Sequence, residues 1–223
     1  ELGPGDDGES DFQHIRNVGK QLLDYNYSRF DELYDGSQGE NDAEGNPLAS
    51  GVTEALQQGQ GAVMYIGHGT SRSWTSSGFS TTEASGLGNT ETHPFIWSAG
   101  CSSGDFVSTT CLAESFLRAE KNGQPTGAIA VMMSTSRQSW YPPMEAQDEI
   151  ALILARKKNT VTTRTFGGIS MSGCMKMNDK YGLGGYRVTD TWTVFGDPSV
   201  VVRTAVPEEI RAHHAPVPGL DAR

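Results

Sequence analysis

From Asp11 onward the apolar residues Ile15, Val18, Leu22 and Leu23 recur at helical spacing, which predicts an amphipathic helix over 11–25 behind a turn-rich opening decapeptide. A short strand is predicted over 29–34. An acidic Gly/Asn loop over 35–47 follows, then a helix over 50–58 with Ser50 as its cap. The run Ala62-Val63-Met64-Tyr65-Ile66 is apolar throughout and bounded by glycines, the pattern of a strand buried on both faces. Similar runs recur over 95–97 and 128–133, with a helix predicted between them over 112–120. Further helices are predicted over 144–157 and 168–181, and a short strand over 200–202 after the Asp197-Pro198 turn. Strands that alternate with helices predict an α/β domain, a mostly parallel sheet with helices on both faces. That domain takes in residues 1–204. Residues 205–223, with Pro207, Pro216, Pro218 and the pair His213-His214, read as an exposed tail or linker.

Composition narrows the function classes. The 223 residues are 36% hydrophobic, enough for one globular core. Lys and Arg number 17 against 27 Asp and Glu, a formal charge of -10, and no basic cluster is present, so nucleic acid is not an expected partner. No apolar run approaches the roughly 20 residues of a membrane helix, so no membrane span is expected. Cys101, Cys111 and Cys174 are an odd number in no metal-ligand spacing, which signals neither a disulfide framework nor a zinc site. The opening Glu1, Gly3 and Pro4 read as a processed or trimmed end.

In an open parallel sheet, reactive groups gather where strands end at their carboxyl side. The strand over 62–66 ends in Gly67-His68-Gly69, and the one beginning at Phe95 runs out in Gly100-Cys101-Ser102-Ser103-Gly104. Glycines there keep a His and a Cys accessible and let backbone N–H groups approach a substrate carbonyl. A thiol becomes a strong nucleophile beside an imidazole base, so His68 and Cys101 are a candidate pair. Residue types alone leave a second reading open, a small buried Cys and a solvated loop His.

The ordered motifs around them decide for the pair. They are Gly3-Pro4-Gly5, Gly8-Glu9-Ser10-Asp11, Tyr65-Ile66-Gly67-His68-Gly69-Thr70, Gly100-Cys101 with Gly104-Asp105-Phe106, and Cys111-Leu112-Ala113-Glu114. Gly123-Gln124-Pro125-Thr126-Gly127, Gln138-Ser139-Trp140, Pro143-Met144, Gln147-Asp148-Glu149, Arg164-Thr165-Phe166-Gly167-Gly168 and the run from Asp190 to Ser199 continue the set. In this order they resemble the gingipain family of cysteine endopeptidases, relatives of the caspases.

The resemblance implies a caspase-like fold and peptide hydrolysis with Cys101 as nucleophile and His68 as general base and acid, 33 residues apart (101 minus 68). It implies an oxyanion hole from the N–H groups of Gly69 and Cys101, and a carboxylate, Glu1, orienting the histidine. Asp11 matches the aspartate at the base of the primary pocket in the arginine-specific members, apt for a guanidinium. Trp140 matches the lid over the substrate side chain, and Gln138 and Met144 match pocket neighbours. Ile66 replaces a pocket threonine and Ser139 a tyrosine. Those departures leave Arg against Lys open, with Arg favoured.

The implied partners are proteins or peptides bearing Arg or Lys, and an N-terminal fragment of the same precursor, because the family's N-terminal subdomain and first strands are missing from this chain. Secretion or a cell-surface location is implied too. No cofactor is required for the chemistry. The oxygens of Asp35, Asp42, Glu44 and Asn46 suit a structural calcium, but their spacing fits no EF-hand and a solvated acidic loop is the simpler expectation. His14 is expected to make a local hydrogen bond, and neither it, His93 nor the tail histidines is expected to bind a metal. Two other classes share these residues, a transpeptidase or ligase using the same dyad and a binding module with an inert site.

Overall fold

The computed structural model describes residues 3–107, 109–158 and 163–204. In chain order the elements are α1 (Asp11–Leu23), α2 (Ala49–Gln57), β1 (Ala62–Ile66), β2 (Gly69–Thr70), β3 (Ser73–Trp74), α3 (Thr81–Ser85) and β4 (Phe95–Ala99). Then come α4 (Leu112–Leu117), β5 (Glu120–Lys121), β6 (Gln124–Pro125), β7 (Ala130–Ser134), α5 (Tyr141–Leu154), α6 (Phe166–Tyr181), α7 (Leu183–Thr189) and β8 (Trp192–Phe195). Helix α1 starts where the sequence signals it. Gln13 Oε1 accepts the Ser10 N–H at 2.8 Å, and Ile15, Val18 and Leu22 form the buried stripe.

The main sheet has the order β1-β4-β7-β8. β1, β4 and β7 are parallel, with Ile66 opposite Ala99 and Trp97 opposite Met132, and β8 closes the sheet antiparallel to β7. Side chains alternate across β4 and β7. Phe95, Trp97, Ala130 and Met132 pack under α1, α5 and α6, while Ile96, Val131 and Met133 pack on the opposite face against Phe79, Leu112 and Phe116. Trp97 is fully buried and its indole N–H donates to Ser170 Oγ at 2.9 Å. Truncating it to Ala would cost about 3–5 kcal/mol. A third, smaller cluster of Ile15, Tyr34, Ile66, Ala99 and Met144 lies at the carboxyl ends of β1 and β4.

Several sequence expectations need correction. Residues 29–34 form no strand. That segment has no ladder partner and is held by side chains instead, with Arg16 forking onto Glu32 and Asp42 accepting the Tyr34 N–H. Leu48, not Ser50, is the N-cap of α2, so Ser50 lies in its first turn. β1 is not buried on both faces, since it is an edge strand and four of its five residues are only partly buried. Helix α4 stops at Leu117, three residues early, because the chain turns into the β5–β6 hairpin at Glu120. Residues 200–202 contribute one isolated bridge, Val201 to Thr165, while the edge strand is β8, whose Thr-containing sequence carries no continuous apolar run. The tail over 205–223 lies outside the described residues.

Candidate active site

Because β1 and β4 are parallel neighbours in register, the segments that leave them emerge side by side. The Gly67 N–H still donates to Ala99 O at 3.2 Å, and the next residues are His68-Gly69 on one side and Gly100-Cys101 on the other. The contact is tight enough to require glycine. A Cβ on Gly69 would lie 2.8 Å from the Cys101 carbonyl oxygen and 3.2 Å from its nitrogen. His68 is exposed, Cys101 partly so, and the His68 ring lies 5.3 Å from that of Trp140. The His68 carbonyl accepts Tyr65 Oη at 2.7 Å and Thr75 N–H at 2.9 Å. The second of these bonds flanks the Gly69–Trp74 pair of the β2–β3 hairpin, so the Gly69 N–H faces away from that ladder.

The loop that carries Cys101 is anchored from the other side. Ser102 adopts φ +56, a left-handed conformation that costs a non-glycine residue on the order of 1 kcal/mol. The turn is held because Ser102 N–H donates to Ser136 O at 2.9 Å, Gly104 N–H to Ser134 O at 2.8 Å and Ser103 Oγ to Gly100 O at 3.2 Å. The other two thiols are buried. Burial pushes the Cys174 thiol up to about 11 and raises that of Cys111, so neither is suited to act as a thiolate.

Beside the strand ends lies a buried carboxylate. Asp11 is fully buried; its Oδ1 accepts the Trp140 indole N–H at 2.9 Å and its Oδ2 the Gly3 N–H at 3.0 Å. Ile66 and Met144 are buried in the third cluster, against which Trp140 and Trp192 pack. Gln138 joins through Trp192, whose indole N–H donates to Gln138 Oε1 at 2.6 Å. The structure thus brings Asp11, Trp140, Met144, Ile66 and Gln138 to one region, next to His68. Glu1 lies outside the described residues.

The model of peptidase family C25 matches residues 2–203. This chain belongs to peptidase family C25. Among C25 relatives, gingipain R2 of Porphyromonas gingivalis is 42% identical over 213 residues, 95% of this chain and 28% of the relative, and gingipain R1 is 42% identical over 95% of this chain and 21% of its own length. The crystal structure of the Arg specific cysteine proteinase gingipain R superposes with a TM-score of 0.86 at 41% identity, covering 93% of this chain and 46% of that one. A complex of RgpB pro- and mature domains gives 0.85 at 40% identity, over 93% and 48%. The chain therefore spans under half of each of these relatives, and its caspase-like α/β architecture is that of the C25 structures.

Behind the C25 strand ends lies a buried polar group that motif reading missed. His14 makes the expected local contact, with Nδ1 3.1 Å from Glu9 Oε1, but it is also fully buried and its Nε2 lies 3.2 Å from Gln147 Oε1. Burial alone would lower the His14 pKa, but its bond to Glu9 and the charges of Asp148, Glu9 and Asp6 raise it overall. Burial pushes Asp148 up to about 7, and nearby acids add to the effect. Lys180 reaches Asp7 at 2.8 Å and also pairs with Glu145. Asp6, Asp7, Glu145 and Asp148 place ligand atoms within 4.8 Å of one another, and Asp6 Oδ1 is buried without a hydrogen-bond partner, but Lys180 already supplies a cation there and pairs with Asp6 at 3.5 Å as well. On the 35–46 loop, by contrast, Asp42 accepts the Tyr34 and Gln38 N–H groups and Asn46 the Gly36 N–H, which spends those oxygens on the backbone. Trp192, Tyr65 and Gln147 also support the site; each lies inside a motif, but only the tertiary contacts reveal what it holds.

Proposed function

We propose that this chain carries the catalytic machinery of a secreted or cell-surface cysteine endopeptidase that cleaves after a basic residue, Arg in preference to Lys. The approach of Gly69 to the Cys101 backbone supports this reading most, because it sets an imidazole and a thiol at adjoining strand ends with two N–H groups beside them. His68 takes the Cys101 proton, and the thiolate attacks the carbonyl carbon. The oxyanion is held by the N–H groups of Gly69 and Cys101. His68 then protonates the leaving amine as the C–N bond breaks, leaving a thioester. Water, deprotonated by His68, attacks the thioester and releases the acid with the thiol restored. Glu1 is assigned to orient His68. The family's chemistry needs no cofactor.

Selection of a basic side chain is assigned to Asp11, with Trp140 covering the substrate's stem and Gln138, Met144 and Ile66 completing the pocket. A buried carboxylate favours a guanidinium, which binds it through a fork, over an ammonium that needs more acceptors than Ile66 provides. The net charge of -10 also draws cationic substrates. Specificity constants for matched peptides ending in Arg, Lys and norleucine test this. Asp11→Asn should lower those for Arg and Lys by about 10–100-fold and leave norleucine within about threefold. An equal change in all three would assign Asp11 to the helix end alone.

The outer edge of β1 offers a place for a further segment to dock. Among the described residues no strand pairs with the outer edge of β1, which instead faces a cavity of about 410 Å³ between α1 and α2, lined by Ile15, Leu22, Tyr27, Tyr34 and Met64. An N-terminal fragment of the same precursor is assigned to that edge. A structural calcium, if the protein takes one up, is assigned to Asp6, Asp7, Glu145 and Asp148, where it would displace Lys180, rather than to the 35–46 loop. Added calcium should raise the melting temperature of the full-length protein, and Asp148→Asn should abolish that rise.

A further inference from the structure

We propose that Gln147, locked by buried His14, is a positioning residue that fixes the end of β1 and with it the backbone of His68 and Gly69. The inference rests on the proposed catalytic role of His68 and goes beyond it, since neither Gln147 nor His14 touches the reacting atoms.

The polarity of the hydrogen bonds carries it. Gln147 is fully buried on α5, and its Nε2 donates to the Tyr65 carbonyl at 2.9 Å. A carbonyl only accepts, so the amide nitrogen must face Tyr65 and Oε1 must face His14. His14 Nε2 therefore donates to Gln147 Oε1 at 3.2 Å. Its Nδ1 lies 3.1 Å from the Glu9 carboxylate, which holds the ring in place. The amide of Gln147 therefore has only one orientation left. Around this ring stand Glu9 from the loop before α1, Asp148 of α5 at 3.6 Å, and Asp6, itself 3.5 Å from Lys180 of α6.

The other end of the same residue reaches the catalytic loop. Tyr65, whose carbonyl Gln147 holds, donates its hydroxyl to the His68 carbonyl at 2.7 Å. One residue thus transmits the position of α5 and α1 to the backbone that presents His68 and the Gly69 N–H. Helix α1 also carries Asp11, three residues before His14, so the pocket acid and the catalytic strand end are referred to one buried frame.

The test uses Gln147→Met, which keeps the volume and removes both polar contacts, and Tyr65→Phe, which removes only the hydroxyl. The full-length protein is measured for kcat per titrated thiol, KM, and amide hydrogen exchange over residues 65–70. Each variant should lower kcat about tenfold, the worth of one hydrogen bond at the reacting geometry, with KM moved less than about threefold. The double variant should match the worse single variant, because both act through one backbone segment. Exchange over 65–70 should quicken in Gln147→Met. Unchanged kcat and exchange in both folded variants would overturn the proposal, as would fully multiplicative effects. Should Gln147→Met fail to fold, Tyr65→Phe with normal kcat and exchange overturns it alone. A wild-type protein that cleaves nothing, yet exchanges faster over 65–70 once Gln147→Met is introduced, would defeat the peptidase reading and leave the positioning role standing.

Discussion

The carboxyl ends of β1 and β4 and the α1–α5 interface behind them are built on opposite rules. At the strand ends the chain is glycine-rich, His68 is exposed and Cys101 partly so, and side chains are left accessible for a substrate. Behind them Asp11, His14 and Gln147 are all fully buried, and each makes two specific hydrogen bonds. Reactive groups need room and solvent access, whereas a buried polar group costs stability unless its partners are fixed. The division assigns chemistry to the first region and position to the second. Substitutions in the first should therefore stop turnover without unfolding the protein, and those in the second should do both in part.

The largest effect should come from Cys101→Ala, which removes the proposed nucleophile and little buried volume. Turnover should fall by about 10⁴-fold or more, with a melting temperature within about 2 °C of wild type, as for other substitutions at accessible sites. Retained cleavage by this variant would move the chemistry elsewhere. Next is Gly69→Ala, whose new Cβ would press on the Cys101 carbonyl 2.8 Å away. Disturbing the oxyanion donors should cost about 10²-fold in kcat, read by steady-state kinetics with circular dichroism as the check on folding.

Thiol labelling compares the two regions in one experiment. At pH 8 the buried Cys174, with its thiol pushed up to about 11, holds only about one part in 10³ as thiolate, and burial also blocks access. Iodoacetamide should modify Cys101 at least about 100 times faster than Cys174 in the native protein, and that ratio should collapse in denaturant. Trp192→Phe is the smallest change. It deletes one indole N–H from Gln138 and should raise KM by about two- to tenfold while leaving kcat per titrated thiol nearly unchanged.

The same contrast explains how far the sequence could be read. The apolar runs over 62–66, 95–97 and 128–133 marked the strands that the structure places at 62–66, 95–99 and 130–134, and His68 and Cys101 stood out as polar residues in the glycine turns that end two of them. Asp11, Trp140, Met144 and Gln138 came from ordered motifs, without which Trp140 is indistinguishable from core. β8 escaped because Thr193 breaks the apolar run, and an antiparallel edge strand need not be apolar on both faces. The predicted strand over 29–34 had suitable residues but no partner to pair with. Gln147 and His14 lie 133 residues apart, so no local pattern could show that one orients the other.

The central claim is that Cys101, assisted by His68, attacks a carbonyl that follows a basic residue. The most direct measurement treats the full-length protein with peptidyl chloromethyl ketones ending in Arg, Lys or norleucine and maps the adduct by mass spectrometry. A single adduct on Cys101 is expected, in which its sulfur displaces chloride from the methylene carbon. That adduct should form fastest with the Arg reagent and slowest with norleucine, and His68→Ala should slow it strongly. An adduct on Cys111 or Cys174, or equal rates for all three reagents, would contradict it.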